Sequence, residues 1–598
     1  MTATTTAATS KEMALWLLEQ LVPGTGINNL GMAVRVDGNL RPDVLSAALA
    51  IVAGRHDMLR TVFRSAGAAD LVKQTVAAGG FQVAVEPLEL SGATLEEDLT
   101  AFVDRPFPLE GQSLLRAGHV SRPDGDVFVV AVHHLAADMI SMALFLREFI
   151  AVYDAIAGGR PIPPATPTTA PAPEAASSPA DRAYWRETLS GYTPGSLDLW
   201  CGATRSRLPV MTGGTARRTL SPQAQKAVQA LQRTARVPAA AVLLAAYAAL
   251  LVSHGAGADL VVGTPVDVRG THGAAIGYHV NVVPLRLHVN LSTGFRDLAR
   301  QARDAFLGAM AHADVSVDDL TGELPGVGSA WQSALFQHLF NFLPAASLGE
   351  LSIDGMPARL VTVDNPYSKF DLELVGAPSA AELTFRYSRE VLAQADVEAM
   401  LRRFESLLVA ANADPDRPLA GTAGWSTVDR KIIDRSNASG FWTNGLTPDV
   451  VPREQPVRAF IAAPDGRELP IGLRGELCFT AGPDARTEKT GVLARWCFDG
   501  SIERLARPAT ADAEKEEQQP AADDGLVRKL TGLWRDLLGT EVTAHTGFFE
   551  AGGHSLLAAV LAQQVEELTG TPISLPEIFE NPTPAALAAR VQERDHDY

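Results

Sequence analysis

From Ser10 to about residue 425, segments of helical period alternate with short apolar runs, among them VFVVAVHH (127–134), DLVVGTPV (259–266) and NVVPLRLHV (281–289). That alternation predicts a mixed α/β unit. The longest apolar run, Val237 to Val252, is sixteen residues and mostly alanine. It is too short to span a bilayer comfortably and predicts a buried helix. Residues 158–180 are rich in Pro, Ala and Thr, which suits a long surface connection between two lobes of one unit or between two domains. Residues 430–507 read differently, as short strand-like pieces broken by PDG (464–466) and FDG (498–500). These are hairpin signals, and they predict a small β-rich module. Residues 508–525 carry six carboxylates against Lys515 and predict a solvated linker. In residues 526–594, Leu526, Leu530, Leu533, Trp534, Leu537 and Leu538 recur at helical spacing, as do Leu556, Leu557, Val560, Leu561, Val565 and Leu568. Pro582 and Pro584 introduce one more helix, so three to four short helices are expected. The small polar stretch 1–9 predicts a disordered tail.

The chain has 598 residues with 51 Lys and Arg against 69 Asp and Glu, a formal net charge of −18. Its 46% hydrophobic and 20% charged residues exclude global disorder and leave material for several cores. An acidic balance argues against nucleic acid as a partner, because phosphates need a basic stripe. Cys201, Cys478 and Cys497 are few and far apart, which argues against a disulfide framework or a cysteine-built zinc site and suits a reducing cytoplasm. The opening MTATTTAATSKEM has no basic region followed by an apolar stretch, so neither a secretory signal nor a membrane partner is expected.

The first cluster with chemical content is His133-His134-Leu-Ala-Ala-Asp138, at the end of an apolar strand. Neighbouring side chains on a strand point to opposite faces, so the two histidines cannot share one role. One can face a cavity as a base while the other packs. The alternative is a buried histidine pair with a helix-capping aspartate. No metal site is expected, since further ligands at suitable spacing are lacking.

HHLAAD resembles the HHxxxD motif of condensation domains of non-ribosomal peptide synthetases, relatives of chloramphenicol acetyltransferase. Further segments resemble the same family in order along residues 10–425: SKEMALWLLEQLVPG at the start, RHDMLRTVF (55–63), DRAYWRETL (181–189), IGYHVNVVPLR (276–286) and SKFDLEL (368–374). The resemblance implies a two-lobed, acetyltransferase-like α/β fold with the histidine motif in a tunnel between the lobes. It makes His134, His133 and Asp138 the candidate catalytic residues. His134 would orient or deprotonate the amine that attacks a carrier-bound thioester. Asp138 would hold the loop by pairing with an arginine, with Arg55, Arg60 and Arg269 as unranked candidates. Asn281, in the IGYHVNVVPLR segment, is a further supporting candidate. Two positions depart from the family pattern: Met139 stands where the family usually has Gly, and His279 where Phe is usual. Glycine at 139 would permit unusual backbone angles and a wider tunnel, whereas methionine adds a flexible apolar chain.

FFEAGGHSLLA (548–558) resembles the sequence around the phosphopantetheine serine of carrier proteins. Gly552-Gly553 suits a tight turn, and Ser555 falls at the start of an amphipathic helix, where free N–H groups favour a phosphodiester. A serine that only caps the helix is the other reading. The resemblance implies 4′-phosphopantetheine on Ser555 and a phosphopantetheinyl transferase as partner. The middle region, VRAFIAAPDGRELPIGLRGELCFTAG…TGVLARWCFDGSIERLAR, resembles the late part of an adenylation domain. The aspartate expected after Thr490-Gly491 is Val492, and no phosphate loop or C-terminal lysine motif is present, so residues 430–507 read as a truncated remnant.

The resemblance as a whole implies a monomeric peptide synthetase protein. It would form an amide between an upstream carrier's acyl group and an aminoacyl group on its own arm, loaded in trans by a stand-alone adenylating enzyme. The alternatives are a non-catalytic platform that presents the carrier-bound substrate to tailoring enzymes, and acyl transfer to a soluble amine or alcohol.

Overall fold

The computed structural model describes residues 4–67, 70–91, 94–165, 178–192, 197–203, 210–270, 273–315, 335–342, 350–377, 381–443, 446, 457–480, 487–506, 525–549, 551, 553 and 555–596. Most of the Pro/Ala-rich connection (166–177) and nearly all of the acidic linker (507–524) lie outside these residues.

Every residue of the strand Val127–His133 is buried, which is why it reads as a continuous apolar run rather than an alternating one. It is an inner strand of a six-stranded sheet ordered Leu351–Ile353, Met356–Val361, Asn29–Val36, Val127–His133, Leu115–Val120, Val85–Pro87. Helix Leu95–Asp104 covers one face through Leu99, Phe102 and Val103. Helices Pro42–Arg55 and Met139–Ala157 pack together within the core on the other face. A second six-stranded sheet follows, ordered Val280–His288, Asp259–Asp267, His338–Phe342, Leu372–Gly376, Glu382–Ser388, Gly213–Thr219. Helix Ala239–Ser253 lies in its core with every residue buried, as its apolar run predicts. No single helix among the described residues is long and apolar enough to cross a membrane.

The chain leaves the second sheet after His338–Phe342, and its strand Met356–Val361 then pairs antiparallel with Asn29–Val36 of the first, Ala358 opposite Val36 and Val361 opposite Ala33. It returns for Leu372–Gly376. The two sheets are therefore interlocked by a strand exchanged between them.

The expectation of a disordered tail over 1–9 is corrected by the structure for residues 4–9, while 1–3 lie outside the described residues. Thr4–Ala7 is a strand paired with Asp70–Thr75, as suits three β-branched threonines. Thr9 then caps helix Ser10–Leu21: its hydroxyl accepts from Glu12 N–H at 3.2 Å, and Glu12 Oε2 accepts from Thr9 N–H at 2.7 Å.

The β-rich region forms a five-stranded sheet from Arg458 to Arg504, and both Asp-Gly turns occur, with Gly466 at φ 85° and Gly500 at φ 92°. It is fastened to the second lobe by the buried Arg403. This guanidinium donates to both carboxylate oxygens of Asp429 at 3.0 and 2.8 Å, to Ile471 O at 2.6 Å and to His254 Nε2 at 3.1 Å. Burial, helped by Arg403, pushes the His254 imidazole down to about 3, so it stays a neutral acceptor. Removing one partner of such a pair strands the other's charge in the interior. Arg403→Met is accordingly expected to cost about 3–5 kcal/mol of stability, read as a lower denaturation midpoint; an unchanged midpoint would show that the sheet is not held there.

Four helices close the chain: Gly525–Leu538, Ser555–Thr569, Leu575–Glu580 and Pro584–His596. Leu530, Trp534, Phe548, Leu561, Val565, Ile578 and Leu587 form their core. The second and third of them touch helix Ser10–Leu21 of the first lobe, and through that contact the two hydrophobic cores are continuous.

Candidate active site and carrier serine

The strand Val127–His133 ends at the junction of the lobes, and the two histidines part there. His133 is buried; its Nδ1 accepts from Leu135 N–H at 3.2 Å, so its Nε2–H donates to Glu19 Oε1 at 3.1 Å. Burial pushes its imidazole down, against the pull of Glu19. His134 turns the other way, edge-on to Tyr278 of the second lobe with ring centroids 5.0 Å apart. Its backbone N–H donates to Asn28 O at 2.8 Å, and its Nδ1–H to Ala137 O at 2.9 Å. That second bond fixes the tautomer and leaves Nε2 as a lone-pair acceptor, with no partner among the described residues. Burial, aided by the Lys369 ammonium, pushes the His134 imidazole down to about 4. At neutral pH it is an uncharged base.

Asp138 caps helix Met139–Ala157, accepting from Ser141 N–H at 2.7 Å. Of the three candidate arginines, the structure brings Arg269 to it, with Nη2 at 2.7 and 2.8 Å from the two carboxylate oxygens. Arg269 is itself buried and also donates to Asp267, to Ala275 O and to Ser141 Oγ. Burial pushes the Asp138 carboxyl up, but Arg269 and the N–H groups of Ser141 and His279 outweigh it and hold the group below the usual range. Asp138 therefore does not reach a substrate. It stitches the loop after His134 to Arg269 and to His279 N–H, at 3.0 Å, in the second lobe. Ser141 adds a second stitch, donating to Gly277 O at 2.9 Å.

The other two arginines lie elsewhere. Arg55 pairs with Glu148 at 2.6 Å, and Arg60 pairs with Asp57. Asn281 donates to Ala313 O at 2.6 Å and Val315 O at 2.7 Å, tying its strand to the chain just beyond helix Phe295–Ala311. Met139 occupies the first helical position after the Asp138 cap, with 44% of its surface exposed. Its backbone is helical, so no unusual angle here calls for glycine, and the conformational reason for expecting glycine at 139 is corrected. His279 is half-buried, and its Nε2 has no hydrogen-bond partner among the described residues.

Sequence reasoning assigned no role to Glu19, Asn28, Ser141, Tyr278 or Lys369. Ser141 carried a signal, since a residue three after a capping Asp faces back to the cap. Glu19 and Asn28 meet within the first lobe, and Tyr278 and Lys369 reach them and the histidines only from the second.

At the carrier, Ser555 opens the fifteen-residue helix Ser555–Thr569; its side chain, with Gly552 and His554, lies outside the described residues. Gly553 must remain glycine, because a Cβ there would fall 2.4 Å from the Phe548 ring. A tight glycine turn feeding a long helix at a serine fits a phosphodiester, whose charge meets unpaired N–H groups and the positive end of the helix dipole. Val492 packs partly buried against the second-lobe core cluster and donates its N–H to Thr490 Oγ1 at 3.1 Å.

Residues 4–431 match the family described as Condensation domain, and residues 528–591 the family described as Phosphopantetheine attachment site. Bacitracin synthase 3 of Bacillus licheniformis is 27% identical over 429 residues, 69% of this chain and 6% of that protein. A dimodular nonribosomal peptide synthase of Bacillus subtilis is 27% identical over 460 residues, 70% of this chain and 19% of that protein. The chain thus spans less than a fifth of the length of either relative. Among solved structures, the first condensation domain of the calcium-dependent antibiotic synthetase, with a substrate analogue, superposes with a TM-score of 0.59 at 23% identity, covering 70% of this chain and 99% of that one. The X-domain from teicoplanin biosynthesis gives 0.58 at 22% identity, covering 68% and 96%. A four-domain nonribosomal peptide synthetase bound to AMP and glycine gives 0.74 at 12% identity, covering 99% of this chain and 78% of that one.

Proposed function

The chain belongs to the condensation-domain family, and from that premise we propose that it forms an amide between an upstream carrier's acyl group and an aminoacyl group on its own carrier. The observation that carries this reading is His134, an uncharged imidazole at the lobe junction whose Nδ1 is tied to Ala137 O and whose Nε2 has no partner among the described residues. The prosthetic group of the carrier is 4′-phosphopantetheine; bound at Ser555, it supplies a thiol that holds the aminoacyl unit as a thioester. His134 Nε2 takes a proton from the attacking amine. As the C–N bond forms and the donor's C–S bond breaks, His134 returns that proton to the leaving sulfur. Asp138, Arg269 and Ser141 position the loop and touch no reacting atom. The contact of helix Ser555–Thr569 with helix Ser10–Leu21 supports a carrier that serves its own condensation site.

The partners of this reading are a donor carrier, a phosphopantetheinyl transferase and a separate adenylating enzyme. The three cysteines are free, which suits a reducing cytoplasm, where we place the protein. Residues 458–504 are read as an adenylation-domain remnant that acts as a fixed structural element. Activating a carboxylate with ATP needs a cradle for the phosphates, a ribose contact and a cation for the developing charge. The sequence lacks the phosphate loop and the lysine motif and has Val492 at the ribose position.

A single-turnover assay tests both parts. The phosphopantetheinylated protein is expected to show no amino-acid-dependent pyrophosphate exchange, to become loaded when an adenylating enzyme is added, and then to carry the condensed product by intact-protein mass spectrometry. Self-loading would overturn the remnant reading. The fold likeness to the X-domain, which is also solved as a complex with OxyB, is a TM-score of 0.58 against 0.59 for the condensation domain, and Met139 departs from the family pattern, so a platform is the second reading. Loaded carriers that yield no amide would favour it, and product released on a soluble amine or alcohol would favour the third.

A further inference from the structure

The proton transfers at His134 leave one residue of the SKFDLEL segment unused. Lys369 is half-buried and precedes the second-lobe strand Leu372–Gly376. Its Nζ donates to Asn28 Oδ1 of the first lobe. Asn28 Nδ2 donates in turn to Glu19 Oε1 at 2.8 Å, the same oxygen that takes the Nε2–H of His133 at 3.1 Å. The backbone carbonyl of Asn28 accepts the N–H of His134 at 2.8 Å. One asparagine therefore joins Lys369 to both histidines. The loop that carries His134 is thus held from the second lobe by Lys369 through Asn28, in addition to the bonds of Arg269 and His279 N–H to Asp138 and of Ser141 to Gly277 O.

We propose that Lys369 is a positioning residue of the condensation site, which clamps Asn28 across the lobes to fix the His134 backbone and places a positive charge in the hydrogen-bonded network that holds both histidines. The proposal rests on the reading of His134 as the base. A cation near a base raises the cost of protonating it, and does so strongly where water is scarce. The charges that act on His134 are those of Lys369 and His133, which disfavour its charged form, and of Asp138, which favours it, while the neutral ring of Tyr278 and the carbonyl of Ala137 pack against it. Burial, with repulsion from Arg386, brings the Lys369 ammonium down to about 8 against the attraction of Glu19 and Glu373. It remains largely charged at pH 7. A wholly structural lysine would need only its hydrogen bond to Asn28; a positioning one also needs its charge.

The test uses the full chain with Lys369→Met, Lys369→Gln and Lys369→Arg. The readout is the pH dependence of diethyl pyrocarbonate modification at the His134 peptide, which reports the uncharged imidazole without requiring catalysis. Lys369→Met and Lys369→Gln are expected to raise the midpoint by roughly half a pH unit or more, while Lys369→Arg keeps it. Lys369→Met should also slow single-turnover condensation about tenfold through lost positioning, with the arginine variant recovering most of it. Phosphopantetheinylation at Ser555 and the circular dichroism spectrum identify which variants are folded, and Lys369→Gln, which retains a donor for Asn28, serves if Lys369→Met is not. A midpoint identical in the wild type and the uncharged variants overturns the proposal. If His134→Ala condenses like the wild type, the base reading fails instead, while the midpoints still report whether Lys369 acts on His134.

Discussion

Replacing His134 by alanine is expected to slow single-turnover condensation by roughly 10²-fold or more, the usual consequence of losing a positioned base. The side chain faces Tyr278 with its Nδ1 tied down, so the substitution removes a proton acceptor and leaves the strand's packing intact. His133→Ala should act differently. That ring is buried and donates to Glu19, and its loss leaves a cavity and removes one of the two donors to Glu19 Oε1, so stability should fall along with activity. The pH profile gives the sign independently. The base form of His134 is the active one, and its imidazole is pushed down to about 4 by burial and by Lys369. His134 should therefore stay uncharged as pH drops from 7 to 5 and take up its proton only as pH passes through about 4, read as the pH dependence of diethyl pyrocarbonate modification at its peptide, because the acceptor's own α-amine, which titrates at about 8, imposes an earlier acid limb on the rate. A His134 midpoint near the ordinary 6.5 would contradict the burial of its ring, and undiminished activity of His134→Ala would favour the platform.

Ser555→Ala should abolish attachment of the phosphopantetheine arm altogether, and with it every product retained on the protein. The serine opens a fifteen-residue helix after a turn that admits only glycine at Gly553, and the residues around it match the attachment-site family. Mass spectrometry after treatment with coenzyme A and a phosphopantetheinyl transferase should show one added arm on the wild type and none on the variant. A variant that is still modified would move the carrier site elsewhere. The core of the four-helix domain, with Trp534 and Phe548 at its centre, does not depend on the serine. Its circular dichroism should be unchanged.

Periodicity carried the helices well, because burial of one face repeats along the chain. The all-apolar run at Val237–Val252 became the fully buried helix Ala239–Ser253, and the spacing of leucines after residue 526 became the four helices of the carrier. It misread the opening residues, because Thr4–Ala7 is too short to show alternation and pairs with Asp70–Thr75, with Thr4 opposite Thr75 and Ala7 opposite Val72, far along the chain. It was silent on the return of Met356–Val361 to the first lobe, since which sheet a strand joins is a matter of which edge is free.

At the site the same division holds. The order of residues along the chain determined that two adjacent histidines must face apart, that Asp138 stands where it can cap the following helix, and that Ser555 begins an amphipathic helix behind a glycine turn; each follows from local geometry. Which arginine meets Asp138, and that Lys369, Asn28 and Glu19 converge on the two histidines, was decided by the tertiary structure alone. Arg55, Arg60 and Arg269 are alike as sequence, but only Arg269 is carried by a lobe that buries it against Asp138. A buried charge selects its partner from whatever the fold brings within hydrogen-bond reach, and that reach is set by how two sheets dock, 131 residues apart in the case of Arg269 and Asp138 and 341 in the case of Lys369 and Asn28.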